Sequence, residues 1–250
     1  MRIVERIKNA CANIKNQPKE TRWQYFWDYY KWHLIIAVLA ITLMIQGVVS
    51  FTNKKDIVFS GVLLNCKIGV NDEAFLEDFY EYTGIDNATQ EVAFYSDLTL
   101  KDGSSKSDVN TFQRIMAGIA TQEFDFVVGQ EESFRLCAYS TSNLLMDLRK
   151  FLDQATLEKL SGQLYYIDGA FLEKLNAPLG ESVDLSLADA PDPTKPEAME
   201  DPIPVGIDIS ANEDFQSAYY FPDTVSYLGV VSTVPRPELM KQLIQFLLLR

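Results

Sequence analysis

Histidine and cysteine are scarce in this chain of 250 residues, and their scarcity argues against several kinds of site. The only histidine is His33, and the three cysteines, Cys11, Cys66 and Cys137, form no CxxC pair. Protein zinc sites are built mainly from clustered histidine and cysteine, so we expect no metal site. We interpret Cys66 and Cys137 as small core residues, with a disulfide between them as the alternative if the domain is exported.

Catalytic motifs are missing as well. The chain has no GxSxG sequence, no phosphate-binding loop and no HExxH sequence, and no histidine follows His33 to serve as a general base. We therefore expect neither an enzyme nor a cofactor. A carboxylate pair in an exported hydrolase is kept as an alternative, because 32 acidic residues follow position 53.

Tryptophan is absent after Trp32, because all three tryptophans lie within ten aromatic-rich residues. Tryptophan and tyrosine favour the headgroup layer of a membrane, where the ring is buried and its polar atom stays hydrated. We predict a membrane-interface belt here. It comprises Trp23, Tyr25, Phe26, Trp27, Tyr29, Tyr30 and Trp32.

A stretch of nineteen residues without a charge, 34–52, follows this belt. As a helix with a rise of about 1.5 Å per residue, it nearly spans the ~30 Å hydrocarbon core of a bilayer. We predict a single transmembrane helix over 34–52. A buried core helix is the alternative, and the segment is too long for a usual cleaved signal peptide.

The distribution of charge predicts the orientation of this helix. Residues 1–53 hold seven basic and three acidic residues, whereas the rest of the chain holds 15 basic and 32 acidic ones. The positive-inside rule places residues 1–33, including a basic amphipathic segment, in the cytoplasm, and 54–250 outside the cell membrane as an acidic domain. The membrane is thus an expected partner, and nucleic acid is not, because an acidic domain repels phosphates.

Apolar strands and amphipathic helices alternate through 54–250, which predicts an α/β domain with a mainly parallel sheet. One helix is expected to start at Asn71 or Asp72, and another to be capped by Asp108. The proline-rich stretch 186–202 reads as an exposed connector. The predicted strands are 56–65, 91–96, 124–129, 203–210 and 225–233.

The segment "FQRIMAGIATQEFDFVVGQEESFRLCAYSTSNLLMDLRKFL" (112–152) resembles extracellular solute-binding proteins of the type 2 periplasmic-binding fold. The resemblance rests on Ala117-Gly118, on the strand from Asp125 to Val128, on the helix from Glu131 to Cys137, and on Leu145 to Leu148. "PVGIDIS" resembles the strand at which such chains cross between lobes. The belt and single span also resemble membrane-anchored bacterial proteins with domains of this kind.

This resemblance implies one periplasmic-binding-like lobe, with a second lobe vestigial or absent, since only 162–206 is left to form one. Ligands of open α/β sheets bind outside the carboxyl ends of the strands, and exposed tyrosines add stacking surfaces. The candidate ligand-binding residues are therefore Asn65, Ser96, Asp97, Gln130, Glu131, Tyr165, Tyr166 and Ser210.

These observations favour a non-catalytic, membrane-anchored domain that presents a small ligand or serves a transporter or sensor. The alternative is a structural or assembly protein that docks on another membrane protein without a small ligand. A polar pocket at the strand ends favours the first function, and a wide exposed apolar patch favours the second.

Overall fold

The computed structural model describes residues 22–52, 55–101, 104–140, 142–177, 186–222 and 225–248. The chain divides into two compact units, residues 1–54 and 55–250. The predicted amphipathic segment before Arg22 lies outside the described residues.

The described residues of the first unit form a long helix, α1 (Arg22–Thr52). Its described side chains are those of Trp27 and residues 31–46, and every side chain from 32 to 46 is exposed. Two belt residues are among them, Trp27 at 51% exposed and Trp32 at 65%. Among the residues with described side chains, no helix is both long enough and apolar enough to cross a membrane.

The second unit is built on a six-stranded sheet beside a two-stranded ribbon. Its strands are β1 (Asp56–Leu64), β2 (Lys67–Ile68), β3 (Gln90–Leu98), β4 (Phe126–Gln130), β5 (Leu164–Asp168), β6 (Pro202–Asp208), β7 (Tyr219–Tyr220) and β8 (Ser226–Val230). The sheet has the order β3-β1-β4-β8-β6-β5, and β2 and β7 form the ribbon. The five predicted strands are confirmed as β1, β3, β4, β6 and β8, and β5 was not predicted.

The prediction of a mainly parallel sheet was wrong. Strand β1 is parallel to β3 and β4, but the β4–β8, β6–β8 and β5–β6 pairs are antiparallel. A parallel neighbour requires a crossover that returns the chain to the opposite edge of the sheet. The β5–β6 connection (169–201) and the β6–β8 connection (209–225) each return the chain to the end of the sheet that it left. Both connections therefore reverse the strand direction.

Helices cover both faces of this sheet. The helices described in this unit are α2 (Asp72–Thr83), α3 (Lys106–Ala120), α4 (Glu131–Ala138), α5 (Gln154–Lys159), α6 (Gly169–Leu175), α7 (Glu213–Ala218) and α8 (Pro237–Leu248). One face packs against α2, α7 and α8, and the other against α3, α4 and α6, with Phe79 and Phe134 among the buried contacts.

The start of α3 differs from the prediction. Ser105 is the N-cap, and its Oγ accepts a hydrogen bond from the Asp108 N–H at 3.0 Å. Asp108 lies in the first turn instead. A serine three residues before an acidic residue is a common helix start, so the cap was placed one turn too late.

The region 162–206 does not form a second lobe among the described residues. It contributes β5 and most of β6 to the same sheet. The predicted connector includes two short 3₁₀ turns, Leu187–Asp189 and Pro196–Ala198.

Candidate functional site

The predicted ligand-binding residues lie along one edge of the sheet. The carboxyl ends of β1, β3, β4 and β6 point to this edge, and so does the amino end of the antiparallel strand β5. Six strands at about 4.8 Å spacing separate the outermost residues, Asp97 on β3 and Tyr165 on β5, by about 24 Å. One small ligand therefore cannot touch all of them.

Several of these side chains bond within the domain. Asn65, with a left-handed φ of 58°, pairs its amide with the backbone N–H and C=O of Leu100 at 2.9 and 2.7 Å. Asp97 accepts from Arg114 at 3.1 Å, and the Ser210 hydroxyl donates to Asp208. These contacts hold loops and helix ends in place.

The other predicted residues differ in how accessible they are. Ser96 and Tyr166 are half-buried, Gln130 is buried, and Glu131 is exposed and pairs with Arg135. Tyr165 is fully buried against the rings of Phe134 and Tyr227.

The Tyr165 hydroxyl has no hydrogen-bond partner among the described residues. The Arg135 side chain lies near this hydroxyl. Burial raises the pKa of Tyr165, and the charge of Arg135 only partly opposes that shift. Burial also raises the pKa of Tyr227 to about 12. Both phenols therefore stay neutral and serve as core residues.

A cavity formed by described residues lies near the other edge of the sheet. We call it the β5–β6 cavity, and its volume is about 490 Å³. Two smaller cavities, of about 320 and 310 Å³, also adjoin the 3₁₀ turn Leu148–Lys150. The β5–β6 cavity is lined by Asn143, Leu145, Met146, Asp147, Lys150, Ile167, Leu172, Ile203, Val205 and Ser232.

The floor of the β5–β6 cavity comes from a cross-strand pair and a helix. Ile167 on β5 faces Ile203 on β6 in register, and Val205 lies further along β6. Leu172 reaches the cavity from α6. The chain enters this helix through Asp168, whose carboxylate accepts the Ala170 N–H at 3.1 Å. This N-cap holds the start of α6 in place, and with it the position of Leu172 at the floor of the cavity.

The side of the cavity opposite this floor is a loop that pairs with the end of β8. Leu145 forms an antiparallel bridge with Val231, and the Met146 N–H donates to the Val230 carbonyl at 2.8 Å. Asn143 has a left-handed φ of 48°, which asparagine tolerates better than most residues. The backbone pairing thus holds this loop against the sheet.

Charged groups at the cavity come from the 3₁₀ turn. Asp147 accepts from Arg149 Nε and Nη2, each at 2.9 Å, and from the Arg149 N–H at 3.0 Å. Burial raises the pKa of Asp147, but the hydrogen bonds from Arg149 outweigh it and lower the pKa overall. Lys150 follows on the same turn, and its side chain is exposed.

This arrangement suits binding better than catalysis. Among the described residues that line the β5–β6 cavity, Asp147 carries the one carboxylate, and Arg149 already occupies it. The described part of the chain contains no group of three or more His, Cys, Asp or Glu side chains that could hold a metal ion. The cavity therefore offers an apolar floor with an amide, a hydroxyl and an ammonium.

The ligand-binding residues predicted from the sequence lie at one edge of the sheet, whereas the β5–β6 cavity lies at the other edge. Of the eight candidate residues, Tyr166 lines the 310 Å³ cavity, and the other seven line none of the three. "LYYID" was the available signal, because an aromatic and β-branched run of this kind is typical of a strand. No known protein family, characterised protein or solved structure matches the chain.

Proposed function

We propose that this protein is a single-pass membrane protein whose extracytoplasmic α/β domain binds a small solute without chemistry, as an accessory to a transporter or sensor. The β5–β6 cavity carries the proposal. Its volume falls within the roughly 300–1,000 Å³ of known ligand pockets, and like them it is mainly apolar with a few polar groups.

The membrane anchor is supported by α1. Its described apolar side chains, such as Ile35, Leu39 and Met44, are exposed at successive positions around the helix. A helix that is apolar all round is typical of a membrane span. The described side chains end at residue 46, whereas the uncharged stretch of the sequence runs to Thr52.

The position of 54–250 outside the membrane rests on the basic residues that precede the helix. Seven of them lie before residue 34, and only Lys54 and Lys55 follow closely after the uncharged stretch. The resemblance to periplasmic-binding lobes agrees with this side of the membrane.

Thermal unfolding of the full-length chain in lipid nanodiscs tests solute binding. The panel holds sugars, amino acids, short carboxylic acids and polyamines. A ligand at about 100 times its Kd stabilises the domain by about 2.7 kcal/mol. One responsive chemical class supports the proposal, and a folded domain that ignores every class contradicts it.

A protease-protection experiment tests the topology. In sealed right-side-out vesicles, added protease should remove 54–250 and spare the N-terminus. Digestion of the N-terminus alone would contradict the proposed orientation.

The alternative, docking on another membrane protein, is favoured by one observation. Ile68, Val70 and Tyr220, on and beside the β2–β7 ribbon, are 60%, 95% and 52% exposed. Replacing Ile68 and Val70 with serine should leave solute binding unchanged. If the same change abolishes co-purification of the protein with one membrane partner, docking is the function.

A further inference from the structure

Lys150 is the one cationic residue among the described residues that line the β5–β6 cavity, and its charge acts on Asp147 without direct contact. Its side chain makes no hydrogen bond or ion pair with any residue that the structure describes. Asp147, by contrast, is held by four hydrogen bonds from Arg149. A cationic ligand would have to displace Arg149, whereas an anionic one would find Lys150 available.

Neutral hydrogen-bonding groups lie around the same cavity. The side chains of Asn143 and Ser232 form no hydrogen bond with other described residues. The Ser232 backbone N–H donates a hydrogen bond to the Leu144 carbonyl at 2.8 Å. An amide and a hydroxyl can both donate to a carboxylate oxygen. They complement the ammonium of Lys150.

The apolar floor of the cavity indicates that the rest of the ligand is apolar. Ile167 and Val205 are buried, while Ile203 and Leu172 are half-buried at the cavity. Burying methylene groups against these side chains stabilises a bound ligand. An apolar body therefore supplies most of the binding free energy, and a charged end sets the orientation.

The acidic surface of the domain does not oppose this arrangement at short range. Residues 54–250 carry 32 acidic and 15 basic side chains. Charges farther than about 8–10 Å are screened at physiological ionic strength, whereas a Lys150–carboxylate pair forms at contact.

We propose that the β5–β6 cavity takes a small monoanion with an apolar body, of the class of short carboxylic acids, with its carboxylate against Lys150. This inference rests on the proposed solute-binding function and names the ligand class of the same cavity.

The experiment uses the full-length chain in lipid nanodiscs with methyl-labelled Ile, Leu, Val and Met. Hexanoate, hexanol and hexylamine are titrated in turn, with empty nanodiscs as the reference for partitioning. Hexanoate should shift the methyl resonances of Ile167, Ile203, Val205 and Leu172 saturably. It should bind at least about threefold more tightly than hexanol, since the carboxylate adds an ion pair.

Lys150→Gln should weaken hexanoate binding by about three- to tenfold and leave hexanol binding unchanged. Lys159→Gln removes the same charge from an exposed position outside the three cavities and should have no effect. Both positions are exposed, so unchanged methyl spectra without ligand verify that each variant is folded.

The outcomes separate the two proposals. If hexanol or hexylamine shifts the cavity methyls as strongly as hexanoate, or if Lys150→Gln binds hexanoate like wild type, the anion is wrong and solute binding stands. If no ligand of this set shifts any cavity methyl in the folded protein, the anion proposal also fails. In that case the unfolding panel alone decides whether the cavity binds another class.

Discussion

Arg236 Nη1 lies 2.8 Å from Oδ2 of Asp125, a carboxylate with no exposed surface. The same carboxylate accepts the Arg236 N–H at 3.1 Å and the Ser60 N–H at 3.0 Å. Asp125 precedes β4, Ser60 lies on β1, and Arg236 precedes α8. One buried carboxylate therefore joins two central strands to the C-terminal helix.

Asp125→Ala should lower the free energy of unfolding by about 3–5 kcal/mol, because it leaves the Arg236 charge and the Ser60 N–H unpaired. Urea denaturation of the full-length chain measures this. The double variant with Arg236→Ala should cost less than the sum of the single changes. Lys174→Ala, which breaks an exposed pair with Glu200, should cost no more than about 1 kcal/mol. Additive costs for the two buried residues would contradict their coupling.

Asp168→Asn should destabilise the domain by about 1–2 kcal/mol near neutral pH. The Asp168 carboxylate accepts N–H groups of Ala170, Glu200 and Asp201, and this start of α6 adjoins the β5–β6 cavity. Burial raises the pKa of Asp168, but the hydrogen bonds from these N–H groups lower it by more than burial raises it. The pKa therefore lies below its ordinary value of 3.8.

The sign of the pH dependence follows from that lowered pKa. The folded state favours the carboxylate, so its stabilisation is complete above about pH 4 and is lost as the pH falls through the lowered pKa. Unfolding free energies measured near neutral pH and near pH 3 should therefore differ less in Asp168→Asn than in wild type. Glu197→Gln, at an exposed position, is the control. Equal acid sensitivity of Asp168→Asn and wild type would contradict this role.

Tyr165→Phe should change stability by less than about 1 kcal/mol or increase it, because the removed hydroxyl is buried without a hydrogen-bond partner. Tyr165→Ala should cost about 3–5 kcal/mol, since it opens a cavity against Phe134 and Tyr227. Urea denaturation compares the two. A large loss in Tyr165→Phe would show that the hydroxyl is bonded in solution.

Cys66 and Cys137 should react slowly with thiol reagents at neutral pH. They are unpaired, and burial raises the pKa of both thiols to about 12. In a Cys11→Ser background, iodoacetamide should reach Cys137 only on unfolding and half-buried Cys66 slowly. Val70→Cys, at a position that is 95% exposed, should react rapidly. Rapid labelling of Cys137 in the folded protein would contradict its burial.

Strands and helices with strong local patterns were predictable, while their relative direction was not. The apolar runs of β1 and β4 and the amphipathic face of α8 are visible in the sequence. The antiparallel arrangement of β5, β6 and β8 depends on the end of the sheet to which the connections return the chain. The pattern of apolar residues within a strand carries no information about that direction.

The β5–β6 cavity was hidden for a related reason. It is formed by residues far apart in the sequence, such as Asn143, Ile203 and Ser232. The pairing of β6 with β8 and of Leu145 with Val231 brings them together. The strand-end rule that selected Asn65 and Ser210 applies to open parallel sheets, and half of this sheet is antiparallel to its neighbours.

The central claim is that the β5–β6 cavity binds a solute. Isothermal titration of the full-length chain in nanodiscs, with the strongest ligand of the unfolding panel, tests it most directly. Wild type should bind one ligand per chain, and Leu172→Trp should bind none, because the larger side chain fills the cavity. Leu175→Trp changes the same helix away from the three cavities and should bind normally. Undiminished binding by a folded Leu172→Trp variant would contradict the account.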